Sequence, residues 1–368
     1  MANPTYLTKF ARWKRVKKTA FFILSLSLLL GLIYPALADG FGSIYPFFNG
    51  IAIGIIGGVL ISIIELYVFR RPKKRMSFIS MVVAKSLIYS FVFTLLVLSV
   101  ILVSRKIQYG YDSFYEAYYS AEFQHFIYAE DLKSILLYAL ALTSLMVFIK
   151  EISKKLGRAS LMNFITGKYY RPQVEDRIFL FLDINDSTTI AEKMSGMKYH
   201  SFVNEFFKDI TESIITTSGE VHQYVGDEVV ITWNMKKGLK DNNCVYTYFY
   251  AKQSINKLAE KYKEKYGFIP SFKVALHCGH VIRGEIGEIK SEIIFSGDVM
   301  NTTSRIESLC GKLNEPFLIS QQLMSKFPDN VRGKFVSKGQ FKLKGKQNEL
   351  EVFGLIDNQI DCLNLSLS

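Results

Sequence analysis

The 368-residue chain has room for about two or three domains at roughly 100–200 residues each, and its 49% hydrophobic content with positive mean hydropathy is high for a wholly water-soluble protein. Its formal net charge of +12 suits a nucleic-acid binder in the abstract, but much of the basic excess flanks apolar segments, which fits membrane topology and argues against nucleic acid. Four cysteines, Cys244, Cys278, Cys310 and Cys362, show no CxxC spacing, which argues against a disulfide framework or a zinc site.

In chain order, four segments are apolar over the roughly 20 residues a membrane-spanning helix needs: Thr19–Ala38, Pro46–Phe69, Ser80–Val103 and Leu132–Ile149. Basic clusters precede the first (Lys9 to Lys18), separate the second from the third (Arg70 to Arg75) and follow the fourth (Lys150 to Arg158). The positive-inside rule then puts both termini in the cytoplasm and the loop Ser104–Asp131, rich in tyrosine and acidic residues, outside. The expected location is a multi-pass protein of the inner or plasma membrane, in contact with the lipid bilayer, its water-facing half in the cytoplasm. Ala36-Leu37-Ala38 resembles a signal-peptide cleavage site, but the long polar start favours an uncleaved anchor. Glu65 and Lys85 lie close enough to the cytoplasmic helix ends to snorkel. The run Lys150 to Phe164 reads as a helix continuing out of the fourth span.

From Asp176 the pattern becomes that of a water-facing α/β domain. Asp176–Ile184 reads as an apolar strand, Tyr199–Ser218 as an amphipathic helix, and Glu220–Val225 with Glu228–Trp233 as a hairpin around Gly226-Asp227. A helix over Asn242–Tyr266 and a strand over Phe272–Cys278 follow. Strands alternating with helices around one antiparallel hairpin suggest a ferredoxin-like α+β sandwich, with the first strand and the hairpin adjacent in the middle. The fold class is therefore an α-helical transmembrane region plus an α/β cytoplasmic domain. The expected divisions are 1–149 for the membrane region, 150–174 for a linker helix, 175–357 for the α/β domain and 358–368 for a tail.

Asp183 at a strand end and Asp227 in a tight turn, 44 positions apart, are placed to meet at one edge of that sandwich. Two such carboxylates suit Mg²⁺, which prefers hard oxygen ligands and shares them with substrate phosphates. That makes a phosphoryl-transfer enzyme the natural reading. His277 and His280, three apart on a strand-to-turn run, read as structural rather than as metal ligands.

Four runs in order carry a resemblance: Phe181-Leu182-Asp183-Ile184 with Ser187-Thr188; Val225-Gly226-Asp227-Glu228; His277 to Val281 with Gly284 to Gly287; and Ser296-Gly297-Asp298-Val299-Met300-Asn301 through Arg305-Ile306-Glu307-Ser308. Together they resemble the catalytic domain of class III nucleotidyl cyclases over roughly Glu175–Leu355. The resemblance implies attack of a ribose 3′-hydroxyl on the α-phosphorus of a nucleoside triphosphate, with release of pyrophosphate. It implies that Asp183, Asp227 and the backbone carbonyl of Ile184 hold two Mg²⁺ per site, Mn²⁺ being an alternative. It further implies that Asn301 and Arg305 orient the ribose and stabilise the α-phosphate, and that Lys346 contacts phosphate. Metal and Asn/Arg residues of the family face each other across a subunit interface, so single copies of every motif imply a homodimer with two sites.

At the base-selecting positions stand Gln223 and Ile294, which match neither the adenylate nor the guanylate pairing. A glutamine amide offers both donor and acceptor, so adenine or guanine is readable, with ATP the expected substrate. A guanylate or mixed-specificity cyclase, and a receptor whose cyclase-like domain is inactive, stay open alternatives. A diguanylate cyclase fits less well, because its Gly-Gly-Asp/Glu-Glu/Asp-Phe hairpin is replaced here by Val225-Gly226-Asp227-Glu228-Val229.

Overall fold

The structure is a computed structural model that describes residues 17, 20–21, 23–33, 45–69, 77–128, 130–345 and 348–356. It divides into two compact units, residues 12–166 and the chain from Gly167 onward.

Apolar residues on every side give the first unit its helices. α1 (Ile23–Ile33), α2 (Tyr45–Tyr67), α3 (Phe78–Tyr109) and α6 (Glu130–Leu156) are its main elements, with the short helices α4 (Phe114–Tyr119), α5 (Ala121–Tyr128) and α7 (Arg158–Ile165) around them. Among the described residues three helices are long and apolar enough to cross a membrane: Tyr45–Tyr67, Phe78–Tyr109 and Leu132–Ser153. Only Ile23–Ile33 of the expected first span is a described helix, and Ala36-Leu37-Ala38 lies outside the described residues. α1 and α2 touch backbone to backbone along Gly54 and Gly58. A Cβ on Gly54 would lie 2.8 Å from the Leu28 Cα, and one on Gly58 would lie 3.0 Å from the Leu24 Cα. Small residues at such a seam let apolar helices gain close van der Waals contact.

Three expectations for this unit are corrected. The stretch from Ser104 to Asp131 is not a plain loop: α3 runs on to Tyr109, where Gly110 in the left-handed region (φ 71) stops it, and α4 and α5 follow. Ser113 and Ser120 start those short helices by accepting hydrogen bonds from the Glu116 and Phe123 backbone N–H groups. Lys85 does not snorkel. It is 1% exposed and donates to Glu65 at 3.1 Å and Glu151 at 2.7 Å, while Lys150 sits 2.9 Å from Glu65. Burying that ammonium is tolerable because carboxylates from two other helices compensate it. Nor does one helix continue from the last span to Phe164, because Gly157 at φ 83 separates α6 from α7.

In the second unit β1 (Gln173–Ile184) runs through the sheet with both faces covered. Ile178, Leu180, Leu182 and Ile184 point to one side and Phe179, Phe181 and Asp183 to the other, as the period of two requires. After it come α8 (Ser187–Glu192), α9 (Gly196–Thr216), β2 (Glu220–Val225), β3 (Glu228–Asn234), α10 (Met235–Leu239), α11 (Asn243–Lys257) and α12 (Ala259–Tyr266). The remainder is β4 (Phe272–Ile286), β5 (Glu292–Ser296), α13 (Asp298–Leu313), β6 (Phe317–Ser320), α14 (Gln321–Met324), α15 (Asp329–Arg332), β7 (Phe335–Phe341) and β8 (Leu350–Leu355).

The sheet order is β2-β3-β1-β4-β6-β8-β7, with β5 paired to the far half of β4. Neighbours are antiparallel except β4 and β6, which are parallel. The hairpin thus adjoins β1 as expected but occupies the sheet's edge instead of its middle, since β4 takes the other side of β1. β4 is longer than the expected Phe272–Cys278 because its second half pairs with β1 and β5. The single helix expected over Asn242–Tyr266 is broken at Leu258, where the backbone leaves helical geometry (φ −107, ψ 13) as that side chain packs on the core.

The main core lies between the even-numbered face of β1 and helices α9, α11 and α12. Phe202 anchors it: the ring is fully buried, with centroids of Tyr266 at 5.2 Å and Phe268 at 5.3 Å. Phe202→Ala is expected to cost about 3–5 kcal/mol of stability by leaving a cavity among these rings. Urea denaturation of the detergent-solubilised chain, followed by far-UV ellipticity, measures it; a loss under about 1 kcal/mol would contradict this packing account.

Candidate active site

The odd-numbered face of β1 ends in Asp183, and sheet register decides what surrounds it. Asp183 stands opposite Glu228 on β3 and opposite Lys273 on β4. Directly opposed residues of antiparallel strands present their side chains on one face, so the three ionisable groups share it. The β2–β3 connection has two residues, Gly226 and Asp227, with Gly226 at φ 62 in the first central position, where a type II′ hairpin demands glycine. That tight turn brings Asp227 close enough to Asp183 for its carboxyl group to act on that of Asp183.

Lys273 bridges this pair to α13. Its ammonium lies 3.1 Å from Asp183 Oδ2 and 2.9 Å from Glu307 Oε1. Burial opposes its charge, but the hydrogen bonds to Glu307 and Asp183 outweigh that and raise its pKa. One cation does not neutralise four carboxyl groups. Burial, then hydrogen bonding from and repulsion by Asp227, pushes the Asp183 carboxyl up to about 6 despite Lys273. Burial together with repulsion from Glu307, Asp183 and Asp227 pushes Glu228 up to about 7. The face gathers four carboxyl groups around one ammonium, and burial with mutual repulsion raises the carboxyl pKa values there.

The helical residues sort by angle. Val299, Thr302, Thr303, Ile306 and Cys310 form the buried stripe of α13. Glu307 and Arg305, two residues apart, are about 200° apart around the axis and so occupy opposite flanks of that stripe. Glu307 looks to its own chain's carboxylates. Arg305, half-buried, lies beside Gly345, where a Cβ would come 3.5 Å from a guanidinium nitrogen, and Asn301 on the same flank is exposed. Among the described residues no hydrogen bond or ion pair joins Asn301 or Arg305 to Asp183 or Asp227. The structure therefore brings together the two aspartates and places the amide and guanidinium apart from them.

Gln223 is exposed on the edge strand β2, and Ile294 is half-buried on β5 opposite Gly284. Their neighbours His222 and Phe295 are in edge-to-face contact at 4.9 Å across the face of the sheet, although β2 and β5 are not paired. Ile184, the last residue of β1, buries its side chain beneath the site. Lys346 lies outside the described residues. His277 is buried with Nδ1 2.8 Å from Ser320 Oγ, and His280 is exposed beside Asp176, so the two serve different local contacts. Burial pushes the thiols of Cys278 and Cys310 up to about 11 and about 12, far from nucleophilic use.

Sequence reasoning missed Lys273. Nothing in its neighbourhood marks it; only the Asp183–Lys273 register does. Glu307 stood inside the fourth motif without an assigned role, and Glu228 followed Asp227 without one. Both are exposed by strand pairing and helix angle rather than by residue spacing.

Comparison with known proteins agrees with this layout. The family described as Adenylate and Guanylate cyclase catalytic domain matches residues 170–356. Adenylate cyclase 2 of Rhizobium meliloti (strain 1021) is 32% identical over 222 residues, 60% of this chain and 61% of its own length. The adenylate cyclase of Anabaena cylindrica is 24% identical over 186 residues, 47% of this chain and 35% of its own. The chain thus spans less than two thirds of either relative. A solved structure of a bacterial light-regulated adenylyl cyclase superposes with a TM-score of 0.54 at 20% identity, over 65% of this chain and 70% of that one, a likeness of fold. With the family match spanning half of its residues and the aspartate pair at the expected strand end and turn, the chain belongs to the adenylate and guanylate cyclase catalytic domain family.

Proposed function

We propose that this chain is a membrane-anchored adenylate cyclase, converting ATP to 3′,5′-cyclic AMP and pyrophosphate with two Mg²⁺ per site, Mn²⁺ being an acceptable substitute. The observation that carries the reading is the Asp183–Asp227 carboxyl pair, closed by a two-residue turn and left with uncompensated negative charge. The donor set fits the ion. Among the described residues no group of three or more His, Cys, Asp or Glu is placed to hold a metal ion by itself, and Mg²⁺ characteristically takes one or two carboxylates and leaves room for substrate phosphates and water. Asp183, Asp227 and the carbonyl of Ile184 would hold it. Bound there, it would supply Lewis-acid polarisation of the phosphates and a lowered pKa at the attacking hydroxyl.

The chain's own groups do the remaining work in this reading. Lys273 fixes the Asp183 carboxylate through a direct ion pair. Arg305 offers a guanidinium for the charge that builds on the α-phosphate, and Asn301 offers an amide for the ribose. Because that flank of α13 turns away from its own aspartates, the economical arrangement is a homodimer in which each subunit lends Asn301 and Arg305 to its partner's carboxylates. Lys346 would add a further phosphate contact. ATP is favoured by the adenylate cyclase names of the relatives and by the amide of Gln223, which can both donate to and accept from an adenine edge, with Ile294 giving apolar contact. The three long apolar helices and the basic run from Arg70 to Arg75 support a multi-pass protein of the inner or plasma membrane with its catalytic unit in the cytoplasm.

Two measurements test this. With folded-state values raised, Asp183 and Glu228 hold protons that the unfolded chain has already released between the ordinary carboxylate range and about pH 7, so metal-free stability falls as pH rises through that window. Metal needs the ionised forms. Saturating Mg²⁺ is therefore expected to raise the thermal midpoint at pH 8 far more than at pH 5, and Asp183→Asn to remove the increment; an equal increment in the variant would refute the ligand assignment.

Secondly, the purified full-length protein is incubated with each of the four nucleoside triphosphates and Mg²⁺ or Mn²⁺, and cyclic product is read by mass. Cyclic AMP is expected, with Asp227→Asn folded but slower by at least about a hundredfold. Gln223→Lys is expected to raise the ATP-to-GTP turnover ratio by about tenfold, on the scale of one buried hydrogen bond. No cyclic product from any triphosphate would overturn the activity, and an unchanged ratio would show that Gln223 does not read the base.

A further inference from the structure

The helical unit contains a partly open cavity of about 550 Å³ between α1, α2, α3, α5 and α6. Glycines border it: Gly50, Gly54 and Gly57 of α2 are all lining residues. Its length follows α3. Arg105 and Phe93 both line it, and twelve residues of helix separate them by about 18 Å. The deep end is mainly apolar, lined by Ile61, Phe93 and Met146 with Thr143, whose hydroxyl donates to the Ala139 carbonyl of its own helix at 2.8 Å.

The other end is different in kind. Asn49 of α2 and Gln108 and Arg105 of α3 gather there, toward the start of α2 and the end of α3. Arg105 donates from Nη1 to the Tyr109 hydroxyl at 3.1 Å, and its guanidinium lies 5.7 Å from that ring's centroid. Among the described residues no carboxylate comes within ion-pair range of it. Glu122, which feels its charge, accepts instead from the Tyr111 hydroxyl at 2.9 Å. A long apolar slot ending in a half-buried guanidinium with amides beside it is complementary to one ligand chemistry: an unbranched hydrocarbon tail carrying a single anionic head.

We propose that this cavity is a binding site for a long-chain carboxylate, its acyl tail lying along α2 and α3 and its head group on Arg105. The site stands independently of the cyclase reading. Six lining residues, from Ile135 to Met146, belong to α6, the helix whose Glu151 pairs with Lys85 and whose chain runs through α7 toward Gly167. An occupant therefore touches the element that is covalently continuous with the catalytic unit.

Binding of radiolabelled dodecanoate to the full-length chain in phosphatidylcholine nanodiscs tests the proposal without reading any enzyme activity. Saturable binding is expected, displaced by unlabelled dodecanoate and not by dodecanol. Arg105→Gln is expected to weaken it at least tenfold while Arg105→Lys retains most of it. Ala139→Phe, which puts a ring into the cavity from α6, is expected to abolish it in protein that elutes like wild type. Because Arg105 lies at the cavity mouth, half-buried and bonded to Tyr109 and not packed in a core, its variants keep the test decisive if Ala139→Phe fails to fold. Non-saturable uptake, equal displacement by dodecanol, or affinity unchanged in Arg105→Gln would each overturn the proposal. Loss of dodecanoate binding when phosphatidylglycerol is added to the nanodiscs would also overturn it, assigning the cavity to a bilayer phospholipid.

Discussion

Two carboxyl groups held close enough to repel each other are the constraint around which the catalytic unit is organised. Like charges in a half-buried place repel, and the Asp183–Asp227 pair persists because the backbone leaves it no alternative. Asp183 is fixed by a strand paired on both sides, and Asp227 by a turn too short to swing away. Lys273 relieves part of the repulsion and ties the pair to Glu307 on α13. The remaining charge is stored as a demand for an external cation. Such preorganisation is how an enzyme makes electrostatic stabilisation available before reaction begins.

Much of this layout was legible in residue order, and the reasons are local. The apolar run of β1, the Gly-Asp turn and the amphipathic spacing of α9 are all set by periods of two or 3.6 residues, which a linear reading can detect. What linear reading could not supply was pairing. Nothing local decides that β4 takes the second side of β1 and drives the hairpin to the edge, yet that register is what sets Lys273 against Asp183. The opposite flanks of Arg305 and Glu307 follow from helix geometry, but their meaning emerges only once Glu307 is seen on Lys273. The break at Leu258 likewise depends on a core that no neighbour in sequence announces.

In the helical unit the sequence identified three long apolar helices and misjudged the charges. Snorkelling is the ordinary fate of a lysine near a helix end, because a flexible stem reaches water at small cost. Lys85 departs from it because three helices converge there, offering Glu65 from α2 and Glu151 from α6. Removing one partner of such a buried set is far costlier than never having built it, so the cluster holds α2, α3 and α6 to one mutual arrangement. Gly157 then separates α6 from α7, so the last long helix of the bundle does not run on unbroken to Gly167.

The central claim is that one subunit supplies the carboxylates and its partner supplies the amide and guanidinium. It is tested most directly by co-expressing two differently tagged full-length chains, one carrying Asp183→Ala and Asp227→Ala and the other Arg305→Ala, and assaying the doubly purified heterodimer. Each variant alone is expected to be inactive. The heterodimer, which restores one intact site of two, is expected to recover up to about half of wild-type cyclic nucleotide formation. A heterodimer as inactive as either parent, with wild type active under the same conditions, would contradict the shared site.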